Sequence, residues 1–517
     1  MSVIAELPDP AFGGEGRLLQ LEYQDFYFFN VYFPNGGRGP ERLAYKLAYY
    51  DAFLAQAEAL RTTKPIVVCG DFNTAHTALD LKNAKANEKT SGFLPEERAW
   101  LDRFMELVRA ALAAGFIRDE DAAIFIHDLD ALAEGLTAVR AAFPAHTLTA
   151  VAVKANPLPP LLALLADLGA GAEVASLPEL HLALEAGIPP ERIVFDSPAK
   201  TKEELAFALE HGIHINADNL EELNRLAKLA VRTDRTPSAG LRINPQVGLG
   251  GIAATSVAGT YSKFGVPITR DREILAAFAK YPWLSGLHVH VGSQGCPLEL
   301  LVAGTAAVAD LAGVLDAELG AGRVCLFDLG GGLPTAYRDA DRPPSPAAYV
   351  AALRARCPRL FSGAYRLITE FGRMLHAPCA VAVSRVEYVK RQPGHRTAVL
   401  HLGADAFLRE CYHPRNWPHR VVVLDSAGRE KTGKTSIWHL AGPLCFSGDF
   451  PVRRVRLPAI ASGDLVVIRD VGAYAVGMRF SGRSRNIEER SLRLVQKPCG
   501  SVSSPVWRLD FKSSGTS

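Results

Sequence analysis

Several reactive residues stand at the ends of short apolar runs in the middle of the chain. Lys154 follows Val151-Ala152-Val153, and Asn156-Pro157 then ends the extended segment. An amine at the mouth of a buried strand can lose its charge by desolvation and then attack a carbonyl carbon. On these residues alone, a surface lysine after an edge strand is the simpler interpretation.

Later apolar runs end in the same way. His288 and His290 end one run, Asp328 precedes the glycine triplet 330–332, and Glu370 precedes Phe371-Gly372-Arg373. Three residues without Cβ let backbone N–H groups close on an anion, and a carboxylate can keep a pyridine nitrogen protonated. Lysine, anion cradle and carboxylate together suit pyridoxal 5′-phosphate (PLP). Taken singly, a flexible turn, a surface ion pair with Arg373 and a structural histidine are the simpler interpretations.

The surrounding segments alternate between strand and helix patterns. Helical spacing occurs in segments such as 179–186, 202–210 and 220–230, between eight apolar runs. This alternation predicts an α/β fold with a (β/α)8 TIM barrel over residues 146–378, whose strand ends all lie on the catalytic face. The eight predicted strands are 148–155, 172–176, 193–196, 213–217, 240–244, 286–291, 324–329 and 367–371.

Other segments flank the predicted barrel. Residues 105–145 are predicted to supply a lead-in strand and helix. Residues 379–485 are predicted to form an antiparallel β domain, because period-two runs recur at 381–389, 397–402, 421–424 and 465–470. The polar, Ser-rich tail 486–517 is expected to be disordered.

Length and composition limit the class of protein. A chain of 517 residues with 48% hydrophobic and 22% charged residues is expected to be globular, with two or three domains. The net charge of +2 gives no strong attraction to nucleic acid or anionic membrane, and neither is an expected partner. No membrane-length apolar run and no signal peptide are recognised. Eight scattered cysteines without C-x-x-C indicate a reducing compartment, the cytoplasm, and no structural zinc.

The first block, residues 1–104, reads as strands over 18–32, a helix over 41–60 and a strand over 65–70. Asp71 and Asn73 follow that last strand. Two residues apart, their side chains point the same way and could share a metal ion or a phosphate. An ordinary Asx turn explains the pair equally well.

Residues 17–104 resemble the middle of an exonuclease III-type AP endonuclease, a partial α/β sandwich. Tyr32, Asp71 and Asn73 match that family's active-site residues, but its metal-binding Glu and its Asp-His pair are absent. We therefore expect no nuclease activity from a fused or truncated fragment, with a Mg²⁺-dependent AP endonuclease as the alternative. The matching stretches are Asn30-Val31-Tyr32-Phe33-Pro34-Asn35-Gly36, Gly70-Asp71-Phe72-Asn73 and Ser91-Gly92-Phe93-Leu94-Pro95-Glu96-Glu97-Arg98-Ala99-Trp100.

Residues 106–485 resemble the ornithine/diaminopimelate/arginine decarboxylase group of PLP enzymes, which have an alanine-racemase-like fold. The resemblance implies a diaminopimelate decarboxylase-like enzyme of amino-acid metabolism, in lysine biosynthesis, that works as a homodimer with shared active sites. The matching stretches are Val153-Lys154-Ala155-Asn156, Tyr261-Ser262-Lys263-Phe264-Gly265, His290-Val291-Gly292-Ser293-Gln294, Gly330-Gly331-Gly332, Glu370-Phe371-Gly372-Arg373, Gly442-Pro443-Leu444-Cys445-Phe446-Ser447-Gly448-Asp449 and Gly472-Ala473-Tyr474.

The same resemblance implies roles for individual residues. Lys154 would form the Schiff base with PLP, His290 would stack on its ring, and Glu370 would pair with its pyridinium nitrogen. Cys445 of the partner subunit would return a proton after CO2 leaves. The phosphate would be held by Ser293, Gly331, Gly332, Gly372, Arg373 and Tyr474, and the substrate by Arg409, Tyr412, Phe446 and Asp449.

Departures from the family pattern leave the substrate open. Phe446 stands where the family has an acid that reads the distal amine, and an aromatic ring offers at most a cation–π contact. Arg409 and Tyr412 are one residue closer together than in the family's R-P-x-x-Y stretch. The substrate is therefore diaminopimelate or a different ornithine-, lysine- or arginine-like or modified amino acid. An inactive paralogue fits less well, because Lys154, Cys445 and Tyr474 are all present. A racemase fits less well, because racemases of that fold use a tyrosine as second base and the stretch around Cys445 fits decarboxylation better.

Overall fold

The computed structural model describes residues 2–4, 7, 12, 16–23, 27–35, 40–61, 63–64, 66–72, 121–338, 341–475 and 488–492. The chain divides into two compact units. One comprises Met1–Glu120 with Ala427–Arg429 and Leu492–Ser517, and the other comprises Asp121–Ser426 with Glu430–Ser491. The boundary therefore follows Glu120, whereas the sequence predicted one at 104.

The first unit contains a small sheet with one long helix packed on it. Strands β1 (Ser2–Ile4), β2 (Leu18–Glu22), β3 (Tyr27–Tyr32) and β4 (Ile66–Asp71) lie in that order, and α1 is Pro40–Arg61. Phe29 of β3 packs edge-on against Phe53 of α1 inside this unit. Asn30 and Tyr32, on the opposite face of β3, are exposed. The described part of this sheet therefore has one face open at these residues.

Eight parallel strands of the second unit close into a barrel, as predicted. Both faces of these strands are buried, which explains why they appear in the sequence as continuous apolar runs. The two-residue β11 (Val266–Pro267) adds to β10. The barrel strands are β6 (Leu148–Ala152), β7 (Gly171–Val174), β8 (Ile193–Asp196), β9 (His214–Ala217), β10 (Ala239–Asn244), β12 (Leu284–His288), β13 (Leu326–Asp328) and β14 (Arg366–Thr369).

Helices connect the strands, and three begin with the same short signal. Ser176, Thr201 and Asn219 each accept a hydrogen bond from the backbone N–H of a glutamate three residues later. Such N-caps satisfy N–H groups that the first helical turn leaves free. The helices of this region are α2 (Leu129–Ala142), α3 (Pro159–Asp167), α4 (Leu177–Glu185), α5 (Lys202–Glu210), α6 (Leu220–Thr233), α7 (Asp271–Lys280), α8 (Leu298–Leu319), α9 (Pro346–Arg356) and α10 (Arg373–His376).

Helix α8 corrects one expectation from the sequence. Among the described residues it is long and apolar enough, by length and composition only, to cross a membrane. Its buried residues Leu301, Val308 and Leu315 belong to the main core of the barrel. Packing inside the barrel accounts for its apolar composition.

The remaining strands form two sheets of the predicted β domain. The first has the order β18-β21-β15-β5-β22 and the second β16-β17-β19-β20. Helix α11 (Leu408–Tyr412) lies between β17 and β18 in the chain. The strands are β5 (Ala123–Asp128), β15 (Ala380–Arg385), β16 (Tyr388–Gln392), β17 (His395–Val399), β18 (Val421–Leu424), β19 (Ser436–Ala441), β20 (Val452–Leu457), β21 (Leu465–Arg469) and β22 (Glu488–Leu492).

Three details of the β domain differ from the sequence prediction. The lead-in strand β5 pairs with β15 and so belongs to this domain rather than to the barrel. The run 381–389 forms parts of two strands. The extended segment is interrupted at Val386-Glu387, where the chain passes from one sheet to the other. The tail expected to be disordered from 486 instead supplies β22, which adds to β5.

Candidate active site

Polar side chains stand at the ends of all eight barrel strands. Parallel strands of a closed barrel end on one face, so these side chains converge there. Lys154, His288, Asp328 and Glu370 were identified from the sequence as strand-end residues. Glu173, Asp196, Asn216 and Arg242 were missed, although each is a buried polar residue at or near the end of a mostly apolar strand, a signal that was available.

Lys154 lies just beyond β6, and its ammonium donates to both carboxylate oxygens of Glu173 in β7. Burial lowers the pKa of Lys154, but Glu173 and more distant carboxylates outweigh it and hold that pKa above its usual value. Burial also raises the pKa of Glu173 to about 7, despite the adjacent ammonium. The lysine is therefore a positioned cation at the barrel mouth.

His288 lies between two carboxylates. Its Nδ1 is 3.7 Å from Asp196 Oδ1, and its Nε2 is 3.4 Å from Glu370 Oε2. Asp196 also accepts from Arg242 Nη1 at 2.9 Å. Burial would raise the pKa of Asp196, but Arg242 and His288 hold it below its usual range. Asp196, His288 and Glu370 are close enough to share a metal ion, but Arg242 already supplies the positive charge at Asp196.

Glu370 has one oxygen without a partner. Its side chain is buried, and Oε1 has no hydrogen-bond partner among the described residues. Burial, together with Glu173 and Asp196, raises the pKa of Glu370 well above its usual value. A desolvated carboxylate of this kind is stabilised by a cationic N–H donor, and the pyridinium nitrogen of PLP is such a donor.

Asp328 supports the same layer of side chains. Asn216 Nδ2 donates to its Oδ2 at 2.8 Å, and the Gly330 N–H donates to its Oδ1 at 2.9 Å. Burial and the neighbouring Glu370 raise the pKa of Asp328 to about 8. Asp328 therefore ties β9 to the start of the glycine triplet.

The glycine triplet makes contacts that only glycine permits. Gly330 and Gly332 have φ of +64° and +112°. A Cβ on Gly331 would overlap the Glu370 carbonyl oxygen, and one on Gly332 would overlap that of Gly292. The Gly331 N–H lies 3.2 Å from His290 Nδ1 and donates to it. The triplet therefore needs its three glycines for close backbone approach.

His290 is held as a neutral ring. Burial, followed by the cations Arg242 and Lys154, lowers its pKa well below the usual value. A neutral imidazole presents a flat, uncharged face, which suits stacking on an aromatic ring.

Arg373 marks the end of the site that suits a phosphate. Its Nε donates to Ser293 Oγ at 3.1 Å and its Nη1 to Tyr337 OH at 3.0 Å. Its guanidinium lies over the rings of Trp417 and Tyr474, 4.7 Å and 4.5 Å from their centroids. A buried guanidinium beside the Ser293 hydroxyl suits an anion.

Two more predicted phosphate residues lie beside Arg373. A Cβ on Gly372 would crowd Ala155 and Ala152, so glycine is needed there too. Tyr474 has a left-handed backbone with φ of +63°, and its N–H donates to the Ala155 carbonyl oxygen at 2.7 Å. This bond fixes the tyrosine next to the turn that carries Lys154.

The β-domain residues predicted to contact substrate differ in their exposure and in their contacts. Cys445 and Phe446 lie in an exposed turn, and Phe446 stacks on Tyr412. Arg409 lies over Trp417 and Tyr474, 4.3 Å and 5.0 Å from their centroids, so it supports the tyrosine.

Asp449, the last of the predicted substrate residues, has backbone partners in this structure. Its side chain is buried, and its two oxygens accept from the Ala404 and Leu444 N–H groups at 2.5 Å and 2.7 Å. Asp449 therefore anchors the turn that carries Cys445 and has no oxygen free for a ligand.

The first unit retains part of the predicted nuclease pattern. Parallel pairing of β3 and β4 places Tyr32 opposite Asp71. Asn73, the other candidate metal ligand, lies outside the described residues. The structure therefore places two of the three matching residues side by side at the ends of neighbouring strands.

Comparison with known proteins identifies both parts of the chain. The family described as pyridoxal-dependent decarboxylase, pyridoxal binding domain, matches residues 129–377, and the endonuclease/exonuclease/phosphatase family matches residues 3–136. Diaminopimelate decarboxylase of Pseudomonas aeruginosa is 34% identical over 342 residues, 65% of this chain and 79% of that protein. The enzyme of Zymomonas mobilis is 33% identical over 346 residues, 66% and 79% of the two chains.

A solved structure shows the same architecture. Diaminopimelate decarboxylase from Helicobacter pylori, complexed with L-lysine, has a TM-score of 0.66 and 27% identity, and the match covers 74% of this chain and 94% of that one. These likenesses confirm the predicted fold, the PLP cofactor and the carboxy-lyase chemistry. The chain belongs to the pyridoxal-dependent decarboxylases, with a fragment of the endonuclease/exonuclease/phosphatase family at its start.

Proposed function

We propose that this PLP-dependent decarboxylase acts on a free α-amino acid as a homodimer with two shared sites. In each site Lys154 of one chain and Cys445 of the partner chain serve the same substrate. The observation that supports decarboxylation is the layer of buried charges around Lys154 and Glu370. It supplies a positioned amine, and a desolvated carboxylate with one oxygen free.

The residues of the barrel hold and polarise the cofactor. Lys154 supplies the amine that binds it, and Glu173 keeps that amine aimed at the barrel mouth. Glu370 would meet the ring nitrogen, His290 would cover one ring face, and Arg373 with Ser293 and the glycine triplet would hold the phosphate. When bound, PLP withdraws electrons from the substrate α-carbon, so that the bond to the carboxylate can break.

Cys445 completes the reaction with a proton. When the bond between the α-carbon and the carboxylate breaks, CO2 leaves and the electron pair stays with the carbon. The Cys445 thiol gives its proton to that carbon, and water restores the thiol afterwards. The products are one CO2 and one amine. Cys445 is suited to this role because its turn is exposed and available to a second chain.

Relatives suggest the first substrates to test. The Pseudomonas aeruginosa and Zymomonas mobilis proteins are named for diaminopimelate, and the Helicobacter pylori enzyme was solved with L-lysine. Diaminopimelate, lysine and ornithine therefore head the panel. A different amino acid is the second candidate, because Phe446 stacks on Tyr412 where a distal ammonium would need a carboxylate.

We also infer a cytoplasmic enzyme whose first block has no nuclease activity. The six cysteines whose side chains are described are all free thiols, which suits a reducing compartment. The resemblance to AP endonucleases lacks the family's metal-binding Glu and its Asp-His pair. Incubation of the full chain with abasic DNA and Mg²⁺ is expected to leave the strand intact, and cleavage would contradict this inference.

Two measurements test the proposal. The absorbance band of the PLP-loaded chain should vanish on borohydride reduction, and peptide mapping should find the adduct on Lys154. Lys154→Ala and Cys445→Ala chains should each be inactive alone. Mixed and reassociated, they should recover about one quarter of the wild-type CO2 release, because random pairing gives one intact site in half of the dimers. An adduct elsewhere, or no recovery from folded, PLP-binding variants, would refute the assignment.

A further inference from the structure

The turn that carries Cys445 ends in an exposed aromatic pair. Phe446 is 40% exposed and Tyr412 is 59% exposed, yet their rings stack at 5.6 Å with an interplanar angle of 21°. Large aromatic side chains that remain accessible in a soluble domain often mark a contact surface. Here the pair lies directly beside the thiol that would protonate the product.

Helix α11 connects this pair to the cofactor end of the site. Arg409, near the start of α11, lies over the Tyr474 ring, which Arg373 also contacts. Tyr412, at the end of the same helix, follows Arg409 by less than one turn. The aromatic pair is therefore held in a fixed relation to Arg373 and Tyr474 of its own chain, whereas Cys445 beside it is proposed to serve the site of the partner chain.

The carboxylates packed on this turn and helix are all buried and occupied. Asp449 accepts from two backbone N–H groups, and Glu410 Oε1 lies 3.2 Å from His419 Nε2. Asp405 accepts from the N–H groups of Gly403 and Ala406. None of these three acids offers a carboxylate to a ligand beside Phe446.

Several described carboxylates of the barrel mouth have partners as well, whereas Asp196 Oδ1 and Glu370 Oε1, the latter proposed to meet the ring nitrogen of PLP, have no hydrogen-bond partner. Glu173 binds Lys154, Asp196 binds Arg242, and Asp328 accepts from Asn216. Asp218 accepts from the Gly265 N–H, and Asp341 from the N–H groups of Tyr337 and Arg338. A second ammonium on the substrate would lose its water without gaining a partner among these groups, which is costly.

We propose that the substrate is an α-amino acid whose side chain ends in an apolar group, preferably an aromatic one, that packs against Tyr412 and Phe446. This inference rests on the proposed decarboxylase function and names its substrate class. Tyr412 and Phe446 of the chain that supplies Cys445 set the specificity by contact with the side chain, and among the described residues Asp405, Glu410 and Asp449 near Phe446 are already hydrogen-bonded, which disfavours diamino acids. Lysine, ornithine and diaminopimelate are then poor substrates.

The test compares side chains within one protein. The PLP-loaded full chain is given phenylalanine, leucine, lysine, ornithine and meso-diaminopimelate at equal concentrations, with both enantiomers of the chiral acids, and CO2 release gives kcat/KM. At least one apolar substrate should exceed every diamino acid by about tenfold or more. Preference for a diamino acid overturns the inference and leaves the decarboxylase function intact.

A binding assay separates the inferred substrate class from the proposed decarboxylase function. 2-Phenylethylamine and cadaverine are titrated into the PLP-loaded chain, and the absorbance change gives their dissociation constants without any turnover. The aromatic amine should bind about tenfold more tightly. Equal or tighter binding of cadaverine overturns the inference. Absence of CO2 release from all substrates, with tight aromatic-amine binding, refutes the decarboxylase function instead.

Variants of Phe446 locate the specificity. Phe446→Glu should lower the ratio of phenylalanine to lysine kcat/KM by about tenfold or more, because it introduces a carboxylate beside the thiol. Phe446→Leu, which keeps an apolar side chain of similar position, should retain the wild-type preference. Because each ratio is measured within one protein, partial loss of folded enzyme cancels. An unchanged ratio in Phe446→Glu overturns the inference.

Discussion

Lys154 donates through its ammonium to both carboxylate oxygens of Glu173, which has no exposed surface in β7. The contact joins the ends of two neighbouring barrel strands, β6 and β7. Because Glu173 is shielded from water, its charge acts on the amine through a medium of low dielectric constant. The amine is thereby held protonated and aimed before any carbonyl reagent reaches it.

Removal of the Glu173 charge should make Lys154 more reactive at moderate pH. Glu173→Gln deletes the largest of the charges that raise the pKa of Lys154, so burial then lowers that pKa. The neutral fraction of the amine increases about tenfold for each pKa unit. Stopped-flow absorbance of PLP uptake by the apo-protein at pH 7.5–9 should show faster association. Glu173→Asp keeps the charge and should follow the wild-type profile, and overlapping profiles for the Gln variant would refute this account.

Arg373→Ala should weaken PLP binding without unfolding the barrel. The guanidinium is buried against Ser293 and two aromatic rings, and a charge-assisted hydrogen bond contributes about 1.5–3 kcal/mol. The expected loss is roughly 10–100-fold in the PLP dissociation constant, measured by fluorescence titration. Arg356→Ala removes an exposed arginine on the barrel surface and should leave that constant unchanged. A similar loss in both variants would point to general destabilisation.

Gly332→Ala should cost more stability than Gly320→Ala. Both residues have φ near +110°, so each alanine stores backbone strain of about 1–3 kcal/mol. The Cβ at Gly320 meets no atom within 4 Å, whereas the one at Gly332 overlaps the Gly292 carbonyl oxygen. Thermal unfolding should give the larger fall in Tm for Gly332→Ala, together with weaker PLP binding. Equal falls would mean that strain alone requires glycine at this position.

Asp328→Asn should change the pH dependence of stability. Burial raises the pKa of Asp328 to about 8 in the folded chain. The folded state therefore holds a proton that the unfolded chain releases near pH 4, and between pH 4 and 8 this residue lowers stability as the pH rises. The asparagine, which never ionises, should gain in Tm relative to wild type as pH increases from 5 to 8. A constant difference across that range would show that Asp328 ionises freely.

The sequence predicted where strands and helices lie better than which strands and side chains pair with one another. The apolar runs and the helical spacing between them are local signals, and they identified the strands and helices. Lys154 and Glu370 were identified because strand ends meet on one face. Asp196 and Arg242 were missed because their pairing joins two strands that are not consecutive in the chain, and only closure of the barrel brings them together.

Asp449 and β5 show what a local pattern cannot determine. The motif around Cys445 places Asp449 near the substrate, but its carboxylate turns inward to the backbone of Ala404, far away in sequence. A lead-in strand within 105–145 was predicted, but its partner β15 was not, because this pairing depends on how the whole intervening chain folds.

Strand β5 has a consequence for protein synthesis. It emerges from the ribosome before the barrel, yet Phe125 pairs with Ala382, which is translated more than 250 residues later. The barrel strands are continuous in sequence and are made before β15. Until β15 is made, the backbone N–H and C=O groups of β5 lack this partner and can pair with other chains. A protein begun at residue 146 would keep the eight barrel strands but lose the core residues of α2 and leave β15 with an open edge, so a start before Ala123 is needed to keep these contacts.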